Sequence, residues 1–196
     1  MNPYVTGETI KKLREECGLT QAELANRLNV SDKAVSRWET GRGYPDISLL
    51  GPLAAALSVD VPALLTGEII RNGNRSANMT RMKVYVCPVC GNALFSTGEA
   101  AVSCCGIPLP PLEAEAPDGA HALTIEKVED EYYVTMAHEM TKEHAVSFMA
   151  AVRDDGCEIR KLYPEGPCEA RFKIARTQLI YAFCNRHGLF RIRPGR

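Results

Sequence analysis

The chain has 196 residues, of which 45% are hydrophobic, and its 23 basic and 24 acidic side chains leave a net charge of −1. This composition excludes a disordered chain, and the length allows one large domain or two to three small ones. The charge balance by itself gives no argument for nucleic-acid binding. Because no stretch approaches the ~20 apolar residues of a membrane span and no secretory signal opens the sequence, we expect a cytoplasmic protein without a membrane partner.

The first 68 residues carry a helical pattern. Apolar residues recur at helical spacing from Gly7 to about Glu68, which predicts four or five short helices. Thr20 is expected to cap the helix QAELANRL, with Glu23 completing a capping box, and Ser31 to cap DKAVSRWE after a tight turn. Two short helices joined by a tight turn match the helix-turn-helix plan, in which the second helix enters the major groove.

The helical domain should have a compact apolar core. Cys17 is expected to pack inside the first helix, and Trp38 should face the core one helical turn after Val35. The core positions predicted around the two short helices are Ala22, Leu24, Ala25, Leu28, Val30, Val35 and Trp38.

The segment GLTQAELANRLNVSDKAVSRWETGRGYPD resembles the Cro and phage-repressor type of helix-turn-helix, also called the xenobiotic-response-element family. The resemblance implies binding to a double-stranded DNA operator. Arg and Lys suit guanine edges, and amide and hydroxyl groups suit backbone oxygens. A helical bundle used for protein contacts is the alternative. The DNA-contacting residues that the resemblance implies are Gln21, Ser31, Asp32, Lys33, Ser36, Arg37, Thr40 and Arg42.

The rest of the chain divides by composition into four segments. Residues 69–82 are polar and rich in Gly, Asn and Ser, which predicts a linker. Residues 83–108 alternate short β-like runs with Gly turns around paired cysteines, and the Pro-rich residues 109–120 read as a connector. Seven short, mostly alternating segments over residues 121–196 predict a small antiparallel β-sandwich. The predicted fold class is therefore multidomain α plus β, with a helical domain at residues 1–68.

Because the cytoplasm is reducing, we do not expect the eight cysteines to form a disulfide framework. Metal binding is therefore the first role to consider for them. Cys87 and Cys90 form a knuckle in which a tight turn directs two thiolates at one ion, and Cys104 and Cys105 could complete a four-sulfur site. Such a site indicates zinc or a mononuclear iron. The string VYVCPVCGNALFSTGEAAVSCCG resembles the desulforedoxin-like iron domain of desulfoferrodoxins, which implies iron at this site. Structural zinc is the alternative.

The four histidines of the chain all lie in its C-terminal half. The segments HALTIEKV, MAHEMTKEHAVSFM and YAFCNRHGLF resemble the iron-binding segments of superoxide reductases and of the C-terminal domain of desulfoferrodoxins. The resemblance implies an immunoglobulin-like sandwich in which superoxide takes one electron from a ferrous iron and leaves as peroxide. Four imidazoles and one thiolate suit iron better than tetrahedral zinc. The ligands that the resemblance implies are His121, His138, His144, Cys184 and His187.

Two positions depart from the superoxide reductase pattern. The family commonly has Glu-Lys before the first histidine, where its lysine helps to attract superoxide, but this chain has Ala120 there. The family usually has His-Pro-Met at the second ligand, where this chain has Glu139 in place of proline. These departures are compatible with iron binding and argue against efficient turnover, unless Lys142 or Arg186 substitutes for the missing cation.

Cys157 and Cys168 flank the segment EIRKLYPEGP and could meet across two strands. Buried free thiols are the commoner outcome in a cytosolic sandwich, and a redox-active pair is the alternative.

The two resemblances together favour an iron-dependent, redox-responsive transcription regulator of an anaerobic or oxygen-sensitive microbe. We expect it to bind DNA as a homodimer that spans two half-sites about one helical turn apart. A superoxide reductase with an accessory DNA-binding domain is the main alternative. A regulator whose metals are purely structural is the third.

Overall fold

The structure is a computed structural model, and it describes the backbone of residues 3–195 and the side chains of residues 6–195. Over this range the chain forms five α-helices and twelve β-strands. The chain separates into two compact units, with the boundary between Ile70 and Arg71. The first unit is helical and the second is rich in β-structure, which confirms the predicted multidomain α plus β class.

Five helices make up the first unit. The second and third helices start as predicted: Thr20 and Glu23 form the capping box, and the Ala34 N–H donates to the Ser31 hydroxyl. A left-handed residue, Asn29, ends the second helix with φ of 54° and allows the tight turn between them. The bounds are α1 Pro3–Glu16, α2 Gln21–Leu28, α3 Asp32–Glu39, α4 Leu50–Ala56 and α5 Val61–Thr66, with a 3₁₀ turn at Ile47–Leu49.

The core of the helical unit follows most of the predicted pattern, because α2 buries Leu24, Ala25 and Leu28, and α3 buries Val35 and Trp38. Val30 is half-buried against this core.

Two predictions about the helical unit are wrong. Ala22 is exposed, because 3.6 residues per turn place it about 110° around α2 from the centre of the buried stripe. Cys17 is exposed as well, since α1 ends at Glu16, and its thiol donates to the Leu57 carbonyl at 3.6 Å.

The second unit contains two small hairpins and two larger sheets. The hairpin strands are β1 Lys83–Val86 with β2 Ala93–Ser96, and β3 Val102–Cys104 with β4 Ile107–Leu109. The remaining strands are β5 Ala114–Glu115, β6 Leu123–Val128, β7 Glu131–Met136, β8 Val146–Arg153, β9 Cys157–Lys161, β10 Glu169–Lys173, β11 Thr177–Cys184 and β12 Gly188–Ile192. They form a three-stranded sheet in the order β10-β7-β6 and a five-stranded sheet in the order β5-β12-β11-β8-β9. The seven predicted strand segments correspond to β6 through β12, and this part of the prediction is confirmed.

The five-stranded sheet is covered on both faces, and this explains the long buried runs of β8 and β11. One face packs against the three-stranded sheet, where Phe172 and Val134 meet Met149 and Ile180. The other face is covered by residues that precede and form the first hairpin; these include Met79, Met82, Val84 and Phe95. The parallel pairing of β5 with β12 brings a piece of the Pro-rich segment into the same sheet.

None of the helices in the described part of the chain has the length and apolar character that crossing a membrane requires.

Candidate functional site

The four predicted cysteines of the knuckle converge, with their sulfur atoms all within 4.8 Å of one another. The Sγ of Cys104 lies 3.6 Å from that of Cys90 and 3.9 Å from that of Cys105. A tetrahedral ion with metal–sulfur bonds of about 2.3 Å would space its sulfurs by about 3.8 Å. The cluster therefore has the dimensions of a four-sulfur metal site.

Local turn geometry brings these sulfurs together. The Gly91 N–H donates to the Cys87 carbonyl at 2.9 Å, and Gly91 adopts a left-handed φ of +69° that closes the first knuckle. In the second hairpin Cys105 itself has a φ of 51° and is followed by Gly106 at φ of 76°. A left-handed conformation costs about 1–2 kcal/mol in a residue other than glycine. This turn lets two adjacent cysteines take part in one cluster.

The charges of the cluster favour a bound cation. Hydrogen bonds from the backbone N–H groups of Cys90 and Val89 lower the pKa of Cys87 to about 7. The crowding of Cys105 by the sulfur of Cys90, and then by the other two, raises its pKa to about 12. Four thiolates at these distances repel one another and are stable together only with a metal ion between them.

The five predicted ligands of the second site lie at strand ends on one side of the sandwich. His121 closes a 3₁₀ turn, Gly119–His121, just before β6. His138 follows β7 and His144 precedes β8, whereas Cys184 is the last residue of β11 and His187 lies in the turn to β12.

The donor atoms face one another at short distances. The Nε2 of His144 lies 3.0 Å from the Nε2 of His138 and 3.1 Å from the Nδ1 of His187. The Cys184 sulfur lies 3.7 Å from the His138 Nε2 and 3.5 Å from the His187 Nδ1. His121, His138, His144 and Cys184 each offer a donor atom within 4.8 Å of the others.

These spacings are short enough for several donor atoms to bind one metal ion. Two nitrogen ligands at right angles, with bonds of about 2.1 Å, lie about 3.0 Å apart, whereas tetrahedral ligands lie about 3.4 Å apart. The two nitrogen pairs lie at distances that the ligands of one metal ion can have.

His121 provides an independent test of whether a metal fits. Its ring stacks on Phe190 with centroids 4.6 Å apart, and its Nε2 is buried without a hydrogen-bond partner. Burial lowers the pKa of His121, so the ring is held as the neutral form that binds metals. An unpaired buried nitrogen costs about 1–3 kcal/mol, and a metal ion among the neighbouring donors would remove that cost.

Glu139 makes a contact that its sequence position did not predict. Its carboxylate Oε1 is hydrogen-bonded to the Nδ1 of His144, on the side of the ring opposite to the nitrogen that faces the other donors. This hydrogen bond lowers the pKa of the Glu139 carboxyl. Sequence reasoning treated Glu139 only as the loss of a proline, and the signal it missed is a carboxylate five residues before a ligand histidine.

Asn185 was also missed. Its side-chain oxygen accepts the Ala145 N–H at 3.0 Å, and its side-chain nitrogen donates to the Glu143 carbonyl at 3.1 Å. These bonds clamp the turn that carries Cys184 and His187 against the loop that carries His144.

The two cations considered as replacements for the missing lysine are both engaged. The Lys142 ammonium lies 3.8 Å from a carboxylate oxygen of Glu165, and the Arg186 Nε donates to the Glu143 carbonyl at 3.2 Å. Ala120 itself is exposed and supplies no charge.

Cys157 and Cys168 do not behave as a pair. Cys168 belongs to the cluster between the two sheets, whereas Cys157 packs against the cluster on the other face of the five-stranded sheet. Burial raises the pKa of each thiol to about 11, and both are free. This supports the interpretation as buried free thiols.

The predicted DNA-contacting residues lie at the start of α2, along α3 and in the loop after α3. Within the described residues, the side chains of Lys33, Arg37 and Arg42 are exposed and form no ion pair. Gln21 is half-buried, and its amide nitrogen donates to Glu39 at 2.8 Å. Of the other predicted contacts, Ser36 is half-buried, and the exposed residues are Ser31, Asp32 and Thr40. Their roles at DNA stay predictions.

Residues 10–64 match the helix-turn-helix family. The HTH-type transcriptional activator BcrR of Enterococcus faecalis is 37% identical over 76 residues, which is 39% of this chain and 37% of that protein. Multiprotein-bridging factor 1 of Debaryomyces hansenii is 37% identical over 62 residues, or 32% of this chain and 41% of that protein. The chain thus spans less than half the length of either relative.

The β-rich unit has relatives of a different kind. The desulfoferrodoxin of Clostridium acetobutylicum is 30% identical over 118 residues, covering 56% of this chain and 94% of that protein. The crystal structure of the superoxide reductase from Treponema pallidum superimposes with a TM-score of 0.51 at 21% identity, over 57% of this chain and 98% of that one. The structural likeness shows the fold, and the sequence likeness shows the family.

Proposed function

The chain belongs to the desulfoferrodoxin family and carries a helix-turn-helix domain ahead of that module, and from this premise we propose that it is a redox-sensing transcription regulator. The helical unit would bind a double-stranded operator as part of a homodimer. Oxidation of an iron at the histidine site, by superoxide or another small oxidant, would change the affinity for that operator. The protein would act in the cytoplasm, where the operator is.

One observation carries this proposal. The chain keeps a complete set of five donors at the histidine site, with distances suited to a metal, but it has no cation next to the first ligand, where Ala120 lies. A site that retains the candidate ligands but has alanine in place of the family's lysine is suited to sensing more than to rapid turnover.

Each residue of the histidine site would have a defined task. Neutral imidazoles of His121, His138, His144 and His187 would hold the metal, and the buried Cys184 would supply a thiolate that pushes electron density onto it. Iron bound there would supply one-electron exchange between its ferrous and ferric forms. The four cysteines of the knuckle would hold a second ion, which we propose to be iron, with zinc as the alternative.

The helical unit would read DNA through the exposed face of α3. The residues that would approach base edges are Asp32, Lys33, Ser36 and Arg37, and those that would hold phosphates are Gln21, Thr40 and Arg42. Two copies related by a two-fold axis would engage half-sites about 34 Å apart. A regulatory effect requires that oxidation stabilise the bound and free states to different degrees.

The experiment that tests the proposal uses the full chain purified without oxygen. Its metals are counted, and its affinity is measured for a duplex selected from a random pool by the reduced protein. A calibrated superoxide pulse follows, with peroxide measured in the same sample. We expect at least a fivefold change in affinity, the low end of typical couplings, after about one oxidising equivalent per chain.

Two outcomes would overturn the proposal. Catalytic accumulation of peroxide with constant DNA affinity would identify a superoxide reductase with an accessory DNA-binding domain. Zinc at both sites of the anaerobic protein would indicate structural metals and remove the redox account. Cys184→Ser is the matched control, because it should abolish the response to superoxide while leaving the helical unit intact.

A further inference from the structure

We propose that Glu139 is a positioning residue for the metal at the histidine site. It holds His144 in the form that carries its hydrogen on Nδ1, which leaves Nε2 as the metal-binding atom and makes that nitrogen a stronger electron donor. This inference rests on the proposed iron at the site.

The geometry of the His144 ring carries the inference. The two nitrogens of an imidazole point away from each other, and in His144 they meet different partners. Nδ1 is bonded to the Glu139 carboxylate, whereas Nε2 lies 3.0 Å and 3.1 Å from donor atoms of His138 and His187. A carboxylate only accepts hydrogen bonds, so this contact requires the hydrogen on Nδ1.

The contact singles out one ligand of the site. Within residues 6–195, Glu139 supplies the one carboxylate that is hydrogen-bonded to a histidine of this site. The other three histidine rings have no hydrogen bond to a carboxylate. In His138 the Nδ1 has a different partner. The Met140 N–H donates to this Nδ1 at 3.2 Å, so the nitrogen accepts a hydrogen bond there. The side chain of Glu139 is 59% exposed and that of His144 is 13% exposed, so the carboxylate reaches a mostly buried ring from the solvent side.

The contact has a chemical consequence. A carboxylate behind a metal-bound imidazole fixes its orientation and raises its basicity, and loss of such a partner typically weakens metal binding 10–100-fold. The added negative charge stabilises a ferric ion more than a ferrous ion. Glu139 therefore shifts the site toward the oxidised form, so that a weaker oxidant is enough to convert it.

Three full-length variants separate the charge from the hydrogen bond. Glu139→Gln keeps an acceptor for the His144 Nδ1–H but removes the charge, and Glu139→Ala removes both. Glu126→Gln makes the same charge change at an exposed position of β6, outside the loops that carry the candidate ligands, and it is the matched control. The ferrous affinity of the histidine site is measured by chelator competition. Its reduction potential is measured by redox titration of the absorption band that arises from the Cys184 thiolate bound to iron. Thermal unfolding of the metal-free variants shows whether the fold is kept.

We expect Glu139→Gln to keep its ferrous affinity within a few-fold and to lose about tenfold in its preference for ferric over ferrous iron. That loss is a rise in potential of about 59 mV for one electron. Glu139→Ala should show this rise together with a 10–100-fold loss of metal affinity. Glu126→Gln should match the wild type in both readouts.

Wild-type affinity and potential in both Glu139 variants would overturn the inference. Failure of the proposed function looks different, because it appears in the wild type as a histidine site that takes up no iron. If that site takes zinc instead, the zinc affinity of Glu139→Ala is compared with that of the wild type. A lower affinity supports the positioning role of Glu139, and an equal affinity overturns it. If the site binds neither metal, both proposals fail.

Discussion

The two candidate metal sites are built in different ways. The cysteine site draws its sulfurs from two adjacent hairpins, and two of its four cysteines are exposed. The histidine site collects donors from the ends of five strands that are brought together by both sheets, and it buries His121 and Cys184. A site made of local turns therefore depends on backbone conformation, whereas a site made of distant strands depends on contacts that hold loops together.

The largest expected effect comes from Cys184→Ser. Removing the buried thiolate should empty the histidine site of iron and leave the cysteine site fully loaded, because no donor is shared between the two sets. Metal content per chain and the thiolate-to-iron band provide the measurement. Cys157→Ser is the control, since that thiol lies outside both sets. Loss of metal from both sites in Cys184→Ser would show that they are not independent.

The next effect concerns the clamp between loops. Asn185→Ala removes two hydrogen bonds, to the Ala145 N–H and the Glu143 carbonyl. We expect the histidine site to lose about 1–3 kcal/mol of metal-binding free energy, which is the cost of leaving such groups unpaired. Chelator competition checks this. Arg186→Ala removes a single bond to the same carbonyl and should cost less. An equal loss of metal-binding free energy at the cysteine site would show that this site depends on the same loop contacts.

A matched pair of glycine substitutions tests backbone dependence. Gly91 has a φ of +69° and Gly188 a φ of +91°, and a Cβ at either position meets no atom within 4 Å. Each Gly→Ala change should therefore act through backbone strain alone and cost about 1–2 kcal/mol. We expect Gly91→Ala to weaken only the cysteine site and Gly188→Ala only the histidine site. The metal affinity of each site is measured in both variants. A loss of affinity at the histidine site in Gly91→Ala, or at the cysteine site in Gly188→Ala, would contradict this expectation.

The smallest effect is the pH dependence of the metal-free protein. Cys87 has a folded pKa lowered to about 7, so its contribution is present above the pKa of an unfolded thiol and is lost as pH falls from about 9 to 7. Burial lowers the pKa of His121 and His138, so an unfolded chain binds protons more readily than the folded one once pH falls below about 6.5. As pH falls, Cys87 therefore lowers the free energy of unfolding between about 9 and 7, and the two histidines lower it below about 6.5. The thiols of Cys105, Cys157 and Cys168, whose pKa values are raised, act in the opposite direction in the upper range, because only the unfolded chain ionises them there.

Urea unfolding of the metal-free chain between pH 5 and 9 measures both windows. In the upper window, the stability that wild type has over Cys87→Ser should shrink as pH falls from about 9 to 7, and the two proteins should share the lower window. His121→Phe should reduce the slope of the lower window alone. A single window that both variants change would show that the two sites titrate as one unit.

Much of the fold was predictable because the signals are local. The capping box at Thr20 and Glu23 involves residues three apart, and the strands β6, β7 and β10 show alternation within five or six residues. The errors were local as well: Ala22 lies just outside the buried stripe of α2, and Cys17 lies one residue beyond the end of α1.

The contacts around the histidine site were less predictable. The resemblance named all nine candidate ligands, and the structure brings them into two clusters, but it did not indicate that His187 faces the others through Nδ1. Nor did it indicate that Glu139 reaches His144 or that Asn185 joins two loops. These contacts depend on the loop conformations and on the pairing of β8 with β11, and sequence spacing does not encode either.

The sequence by itself determined the helical and β-rich parts of the protein, the seven strands of the sandwich and the candidate metal-binding residues. Periodicity, capping and knuckle spacing are properties of a few neighbouring residues, so they can be read without a fold. Only the tertiary structure decided that the first hairpin covers the outer face of the five-stranded sheet, that Cys157 and Cys168 lie in different clusters, and that Glu139 supports one ligand. Those features arise from packing between segments far apart in the chain, where strand order and register determine which side chains meet.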